Sequence, residues 1–279
     1  MTHRFSHEAM ATVFEVRCVH EDARYARQAA DAAFAVVDLL EQQLSRFVPN
    51  SDISRVNALG AGGATQVSPA TLECLAIARH LLDATSGTFD VSIGTGLDTL
   101  ELDPDTHSVH ARKEGVRLDL GGIGKGYAVD RVAELLDEWG VRSALVHGGF
   151  SSLLALEAPP GQDGWALSLS LPESDEVVVR LSARQRAFSA SGTKKGEHIQ
   201  DPRTGRPVVG RAVWLSLPGT AVGGGSPAAV AEGLSTAFMI LDTAEIADVC
   251  RDSPGLETWL VDRNSPKMIH LRGPELRSP

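Results

Sequence analysis

Asp119, Gly121, Gly122, Gly124, Lys125 and Gly126 fall within one short stretch, directly ahead of a helical pattern running from Gly126 to Trp139. Glycines let a backbone approach a ligand closely and adopt positive φ. The unpaired N–H groups of a helix start attract an anion, and a single lysine in such a turn is a point charge suited to phosphate. Asp119 can accept a hydrogen bond or help to hold a metal. Neither common nucleotide loop is present. A Walker loop needs glycine where this chain has Asp119, and the third glycine of the dinucleotide fingerprint is here Tyr127. The same residues also suit a tight strand-to-helix turn with no ligand, and the stretch alone leaves both open.

Three further stretches carry chemistry. Glu197-His198-Ile199-Gln200-Asp201-Pro202-Arg203-Thr204-Gly205 holds a histidine, an aspartate and an arginine around a strong turn signal. That is a set for proton transfer and anion contact, or else a surface turn. Ser189-Ala190-Ser191-Gly192, just upstream, is small enough to admit a ligand. Glu232 and Thr236 stand at i and i+4 and share one helix face. A carboxylate and a hydroxyl so placed can offer hard oxygens to Mg²⁺, while a glutamate near a helix N-terminus is also favoured by the dipole alone. In Thr88-Phe89-Asp90 an aspartate follows a helix that stops near Gly87.

These stretches need elements to position them. Thr12 to Cys18 alternates as a half-buried strand. Asp22 to Leu44 reads as a long helix with Ala26, Ala29, Ala30, Ala33, Phe34, Val37, Leu40 and Leu44 on its buried stripe. Ser45 to Ser54 reads as a polar loop. Ser68-Pro69 opens a helix that runs to about Thr85. Leu118 to Leu120 and Ala144 to Val146 read as strands on either side of the glycine-turn helix, with His147-Gly148-Gly149-Phe150 interrupting the second. Leu153 to Leu156, Trp165 to Leu171 and Val177 to Leu181 look like a meander, followed by strands near Phe188 and at Ala212 to Leu217. A glycine-rich loop precedes a helix from Pro227 to Leu241, and a helix near Ala244 to Cys250 and a strand at Thr258 to Val261 close the chain. Helices and strands mix without strict βαβ alternation. This predicts an α+β fold of mixed, largely antiparallel sheets flanked by helices, as a single intertwined domain over residues 1–279.

Composition sets outer limits. A formal charge of −10 argues against nonspecific nucleic-acid or anionic-membrane binding, both of which need a basic face. It also implies that a bound phosphate is met by backbone amides and a metal. Cys18, Cys74 and Cys250 are widely spaced and odd in number, which predicts free thiols in a reducing compartment. No apolar segment has the length of a signal core or a bilayer span. The expectation is a cytoplasmic protein without a membrane anchor.

Taken in order, the stretches resemble the FAD:protein FMN transferase family, also called the thiamine-biosynthesis lipoprotein family. The pieces are Met10-Ala11-Thr12, Ser45-Arg46-Phe47 with Ser51-Asp52-Ile53-Ser54, Gly87-Thr88-Phe89-Asp90, Asp119 to Asp130, Ala190-Ser191-Gly192, His198 to Gly205, and Glu232-Gly233-Leu234-Ser235-Thr236. The resemblance spans about Met10 to Leu241. It implies Mg²⁺-dependent transfer of the FMN moiety of FAD to a threonine or serine of a target protein, with release of AMP. The family's targets carry a short flavinylation motif ending in Gly-Ala-Thr or Gly-Ala-Ser. Two other outcomes go with such a site: hydrolysis of FAD to FMN and AMP, and FAD binding without turnover. By the same resemblance His198 is the catalytic base. Met10, Phe47, Thr88, Phe89, Asp90, Asp119, Lys125 and Ile199 contact FAD, and Gly122 (through its carbonyl), Glu232 and Thr236 hold the metal. The chain departs from the family pattern in several places. Ala11 replaces a glycine, Phe150 stands where Asp or Asn is common, and Glu232 replaces an aspartate. The loop Ser191 to Gly196 is short, and the family's usual export signal is missing.

Overall fold

A computed structural model describes residues 1–171, 174, 176–192, 199–208, 210–219, 225–262 and 265–275. The chain opens with a hairpin of β1 (Thr2–Ala9) and β2 (Thr12–Val19), joined through Met10 and Ala11, both at positive φ. Helix α1 (Ala23–Leu44) follows, capped by the Asp22 carboxylate, which accepts from the Arg24 and Tyr25 amides. Then come α2 (Asp52–Asn57), β3 (Ala64–Gln66), α3 (Pro69–Ala84), β4 (Leu100–Asp103), β5 (Ser108–Ala111) and α4 (Gly124–Glu138). The second half holds β6 (Ala144–Gly148), β7 (Ser152–Ala155), β8 (Trp165–Ser170), β9 (Val177–Ala183), β10 (Arg186–Ser191), β11 (Gln200–Asp201), β12 (Arg206–Pro207) and β13 (Arg211–Pro218). It ends with α5 (Pro227–Phe238), α6 (Thr243–Arg251), β14 (Glu257–Asp262) and β15 (Ser265–Arg272).

An eight-stranded antiparallel sheet in the order β1-β2-β6-β7-β10-β13-β14-β15 is the frame. Side chains alternate across a strand, and here both faces are covered. Ala144 and Val146 of β6 and Val213 and Leu215 of β13 pack into the main core with α1, α4 and α5. Leu145 and Phe188 point the other way and meet Trp165 and Ala183 of the β8–β9 ribbon. Leu169 of that ribbon meets Trp214 and Trp259 on the same side. Cover on both faces is why β6 and β13 are buried almost throughout instead of alternating. A small sheet, β3-β5-β4, and the β11–β12 hairpin flank the frame. The expected α+β class and antiparallel pairing are present. Every buried residue of α1 matches the expected stripe.

Several local expectations fail for identifiable reasons. Leu118 to Leu120 is not a strand: the Asn57 side chain takes both the Leu118 amide (2.6 Å) and carbonyl (3.0 Å), and Leu120–Gly122 is a 3₁₀ turn. Ser45 to Ser54 is not all loop, because Ser51 caps α2 by accepting from the Ser54 amide. His147 and Gly148 do not interrupt β6 but pair with Glu15 and Phe14. No single meander exists, since β7 pairs with β10 while β8 and β9 form their own ribbon.

Candidate functional site

Helices α4 and α5 clamp each other, and the clamp builds the site. Neither Ile123 nor Ser226, the residues flanking their N-termini, supplies a side-chain cap. Each helix caps the other instead. Asp130 of α4 accepts from the Ala228 and Ala229 amides at the start of α5, both at 2.9 Å. Glu232 of α5 accepts from the Gly126 amide at the start of α4 at 2.6 Å. Buried N–H groups at a helix start must find acceptors, and the Lys-Gly-Tyr-Ala-Val-Asp segment meets that need across the pair. Arg131 uses Ser226 Oγ as an acceptor (3.0 Å).

Burial pushes the Asp130 carboxyl up to about 8 from its ordinary 3.8, against the two amides and Arg131. Between about pH 4 and pH 8 the folded chain therefore holds a proton that the unfolded chain has released. This contribution to stability shrinks as pH rises through that window and is gone above it. The thermal midpoint should fall more steeply with pH in the wild type than in Asp130→Asn; parallel profiles would show that Asp130 is ionised throughout.

A cleft of about 840 Å³ lies at the mouth of this clamp. Thr88, Phe89, Asp90, Asp119, Gly122, Lys125, Ile199, Glu232 and Thr236 all line it, although they span most of the chain. The Lys125 ammonium is in contact with Glu232 Oε1 and donates to the Gly121 carbonyl at 3.0 Å. Thr236 Oγ1 donates to the Glu232 carbonyl at 3.0 Å, and a Cβ on Gly122 would lie 3.7 Å from that hydroxyl. Phe89 is buried with its ring against Gly122 and Gly233, wedging the glycine turn onto α5. Asp119 caps the turn through the Gly121 amide (2.9 Å) and pairs with Arg46 (2.8 Å). Asp90 is tied up within its own loop by the Ser92 and Gly94 amides.

Two expected contacts lie off the cleft wall, and the expected base is not among the described residues. Met10 sits half-buried in the β1–β2 turn. Phe47 is 77% exposed beneath the Arg46 guanidinium and, among the described residues, is linked to the cleft through the Arg46–Asp119 pair. His198 lies outside the described residues. The Asp201 to Gly205 turn beside it closes as its residue types predict, with the Gly205 amide on the Asp201 carbonyl at 2.7 Å. Ser235 is not among the expected site residues, yet its Oγ meets Ser189 and Ser191, both at 2.9 Å, and fastens α5 to β10. Period-two spacing of the two β10 serines was the available signal. Thr88 Oγ1 and Ser151 Oγ are buried with no hydrogen-bond partner among the described residues. Both residues line the cleft, and an unsatisfied buried hydroxyl there fits a polar ligand.

Fold and cleft together define a class: an α+β protein with a glycine turn, a lysine and a carboxylate–hydroxyl pair facing one cavity. The ApbE family model matches residues 10–260, and the chain belongs to that family. A FAD:protein FMN transferase of Salmonella typhimurium is 24% identical over 308 residues, covering 91% of this chain and 85% of the relative. One from Klebsiella pneumoniae is 38% identical over 112 residues, 38% of this chain and 35% of the relative. The flavin transferase ApbE of Vibrio cholerae superposes with a TM-score of 0.83 at 19% identity, covering 98% of this chain and 97% of its own. Among the described residues no helix is long and apolar enough to cross a membrane.

Proposed function

We propose that this protein transfers the FMN portion of FAD to a threonine or serine hydroxyl of a target protein, releasing AMP, with Mg²⁺ bound in the same cleft. The observation that carries the reading is the meeting of Lys125, the glycine turn, Glu232 and Thr236 in one cavity of an ApbE-family chain. The target oxygen forms a bond to the FMN-side phosphorus. The bond from that phosphorus to the bridging oxygen breaks, and AMP leaves with the oxygen. Such transfer asks an enzyme mainly for positioning and charge stabilisation. Lys125 and the glycine-turn amides that Asp119, Glu232 and the turn's own carbonyls do not engage face the diphosphate, and the free hydroxyls of Thr88 and Ser151 offer it or the ribityl chain donors. His198 takes the proton of the incoming hydroxyl.

Among the described residues no three His, Cys, Asp or Glu side chains cluster as a metal cage. One carboxylate, one hydroxyl and a backbone carbonyl, from Glu232, Thr236 and Gly122, suit a cation that completes its shell with substrate phosphate, as Mg²⁺ does. Bound there, the ion would supply positive charge to the diphosphate. The chain works as one domain over its whole length, supported by a main core that draws on residues from Ala9 to Leu260. Buried, free Cys18, Cys74 and Cys250 support a cytoplasmic setting.

The test is AMP release from FAD with Mg²⁺, with and without a protein bearing a Gly-Ala-Thr segment, alongside flavin fluorescence of that protein on a denaturing gel. Target-dependent AMP and a fluorescent target band are expected. AMP without a target would mean hydrolysis instead, and no AMP a carrier. His198→Ala should lose on the order of a hundredfold in AMP release while its calorimetric FAD affinity holds. Unchanged turnover would reduce His198 to a turn residue.

A further inference from the structure

Phe150 stands between β6 and β7 and is 92% exposed. Its φ is 55°, in the left-handed region, next to Gly149 at 59°. Gly149 has no alternative, since a Cβ there would come within 2.1 Å of Thr12 Oγ1. Phe150 does have alternatives. A bulky aromatic at positive φ is an outlier, and Asn, Asp or Gly would make the turn more easily. An apolar ring left in water also forgoes its burial free energy. Two costs at one residue point to a role outside the fold.

The ring is also held flat. One face lies on the His147 imidazole, with centroids 5.5 Å apart and planes at 27°. His147 Nε2 is fixed on Glu15 Oε1 at 3.3 Å. Glu15 is buried and gripped by Arg17 at 2.6 Å and by Arg4. Burial holds the imidazole below its ordinary 6.5 despite Glu15, so at neutral pH it backs the ring as an uncharged plane. Phe150 lines the cleft, as do Leu153, Leu167 and Phe188, while Lys125 and Glu232 line it as its charged pair. With the diphosphate at the glycine turn, a ring system of FAD must extend from it along the cleft.

Resting on the flavin reading above, we propose that the free face of Phe150 is a stacking platform for a planar heteroaromatic ring of FAD. In this chain Phe150 is thus a substrate-affinity residue. The ring is the isoalloxazine or the adenine, and the experiment tells them apart.

Calorimetric affinities for FAD, FMN and AMP would be compared across wild type, Phe150→Tyr, Phe150→Leu and Phe150→Asn. Stacking of a base on an aromatic residue implies a loss of about tenfold in FAD affinity for Leu, and little loss for Tyr. A parallel loss for FMN assigns the isoalloxazine, and one for AMP the adenine. Phe150→Asn should lose FAD affinity while its thermal midpoint rises, because Asn tolerates the positive φ; a merely structural Phe150 would lower that midpoint. If Phe150→Leu binds FAD as tightly as the wild type, the platform is wrong, and weaker transfer to target protein alone would make Phe150 a docking residue instead. Wild type that gives no heat with FAD overturns the flavin reading itself, and this proposal with it.

Discussion

Glu232→Asp should bind Mg²⁺ more tightly than the wild type when FAD is absent, and Glu232→Ala should lose metal dependence together with most turnover. Glu232 has both oxygens engaged by N–H donors, the Lys125 ammonium on Oε1 and the Gly126 amide on Oε2. Lys125 also donates to the Gly121 carbonyl. Its ammonium thus bridges a glycine-turn carbonyl and a helix carboxylate, the kind of oxygen donors a divalent cation would use. Lys125 competes with a cation for Glu232, and an incoming diphosphate gives Lys125 another partner. Mg²⁺ and FAD should therefore bind with positive coupling, and by linkage each should tighten the other by the same factor. Aspartate is shorter by about 1.5 Å, reaches less far towards Lys125, and so releases the metal oxygens. Removing the Glu232 carboxylate leaves a mostly buried ammonium without its partner, at a cost of about 3 kcal/mol in stability, and lowers AMP release on the order of a hundredfold. Mg²⁺ calorimetry with and without FAD, across the three forms, reads all of this. A Glu232→Ala protein whose Mg²⁺ titration matches the wild type would leave Glu232 as a helix cap and nothing more.

What could be read from the chain follows the range over which each interaction acts. Local patterns were legible. The alanine stripe of α1, the Ser68-Pro69 start of α3 and the Asp201 to Gly205 turn all depend on neighbours within a few residues. Segments stabilised by distant side chains were not. Leu118 looked like strand, but Asn57, sixty-one positions away, satisfies its backbone. Strand β1 hid in polar residues because it is an edge strand with one partner. The site residues were found as separate pieces. Their convergence rests on the exchange of caps between α4 and α5, for which a pattern on one helix gives no sign. Phe47 shows the converse: a motif position marked it, yet its ring is mostly in solvent and, among the described residues, is linked to the cleft through Arg46.

The exchange of caps makes Gly126→Ala the substitution with the largest expected effect on stability. Gly126 is not at positive φ, so alanine's conformational limits are not at issue and close approach alone is tested. A Cβ there would lie 2.3 Å from the Ala228 carbonyl oxygen, 2.6 Å from its carbon and 2.8 Å from the Ala229 Cα. All three are backbone atoms, which cannot swing aside, so α4 and α5 must separate. Separation lengthens the Asp130 bonds to the Ala228 and Ala229 amides and the Glu232 bond to Gly126. Overpacking costs about 1–3 kcal/mol, and each weakened cap adds about 1 kcal/mol. A loss near 4 kcal/mol is expected, a large share of a typical domain's stability. Gly124, two residues earlier, supplies the control. Its Cβ would meet only Leu120 Cβ at 3.9 Å, an ordinary contact, and alanine gains up to about 1 kcal/mol of helix propensity over glycine. Urea unfolding should rank Gly124→Ala level with or above the wild type and Gly126→Ala far below it. FAD affinity should drop only in Gly126→Ala, because the same displacement carries Lys125 away from Glu232. If both variants unfold at the wild-type urea midpoint, the helices are not in backbone contact at Gly126, and the cleft must be positioned by something other than their mutual caps.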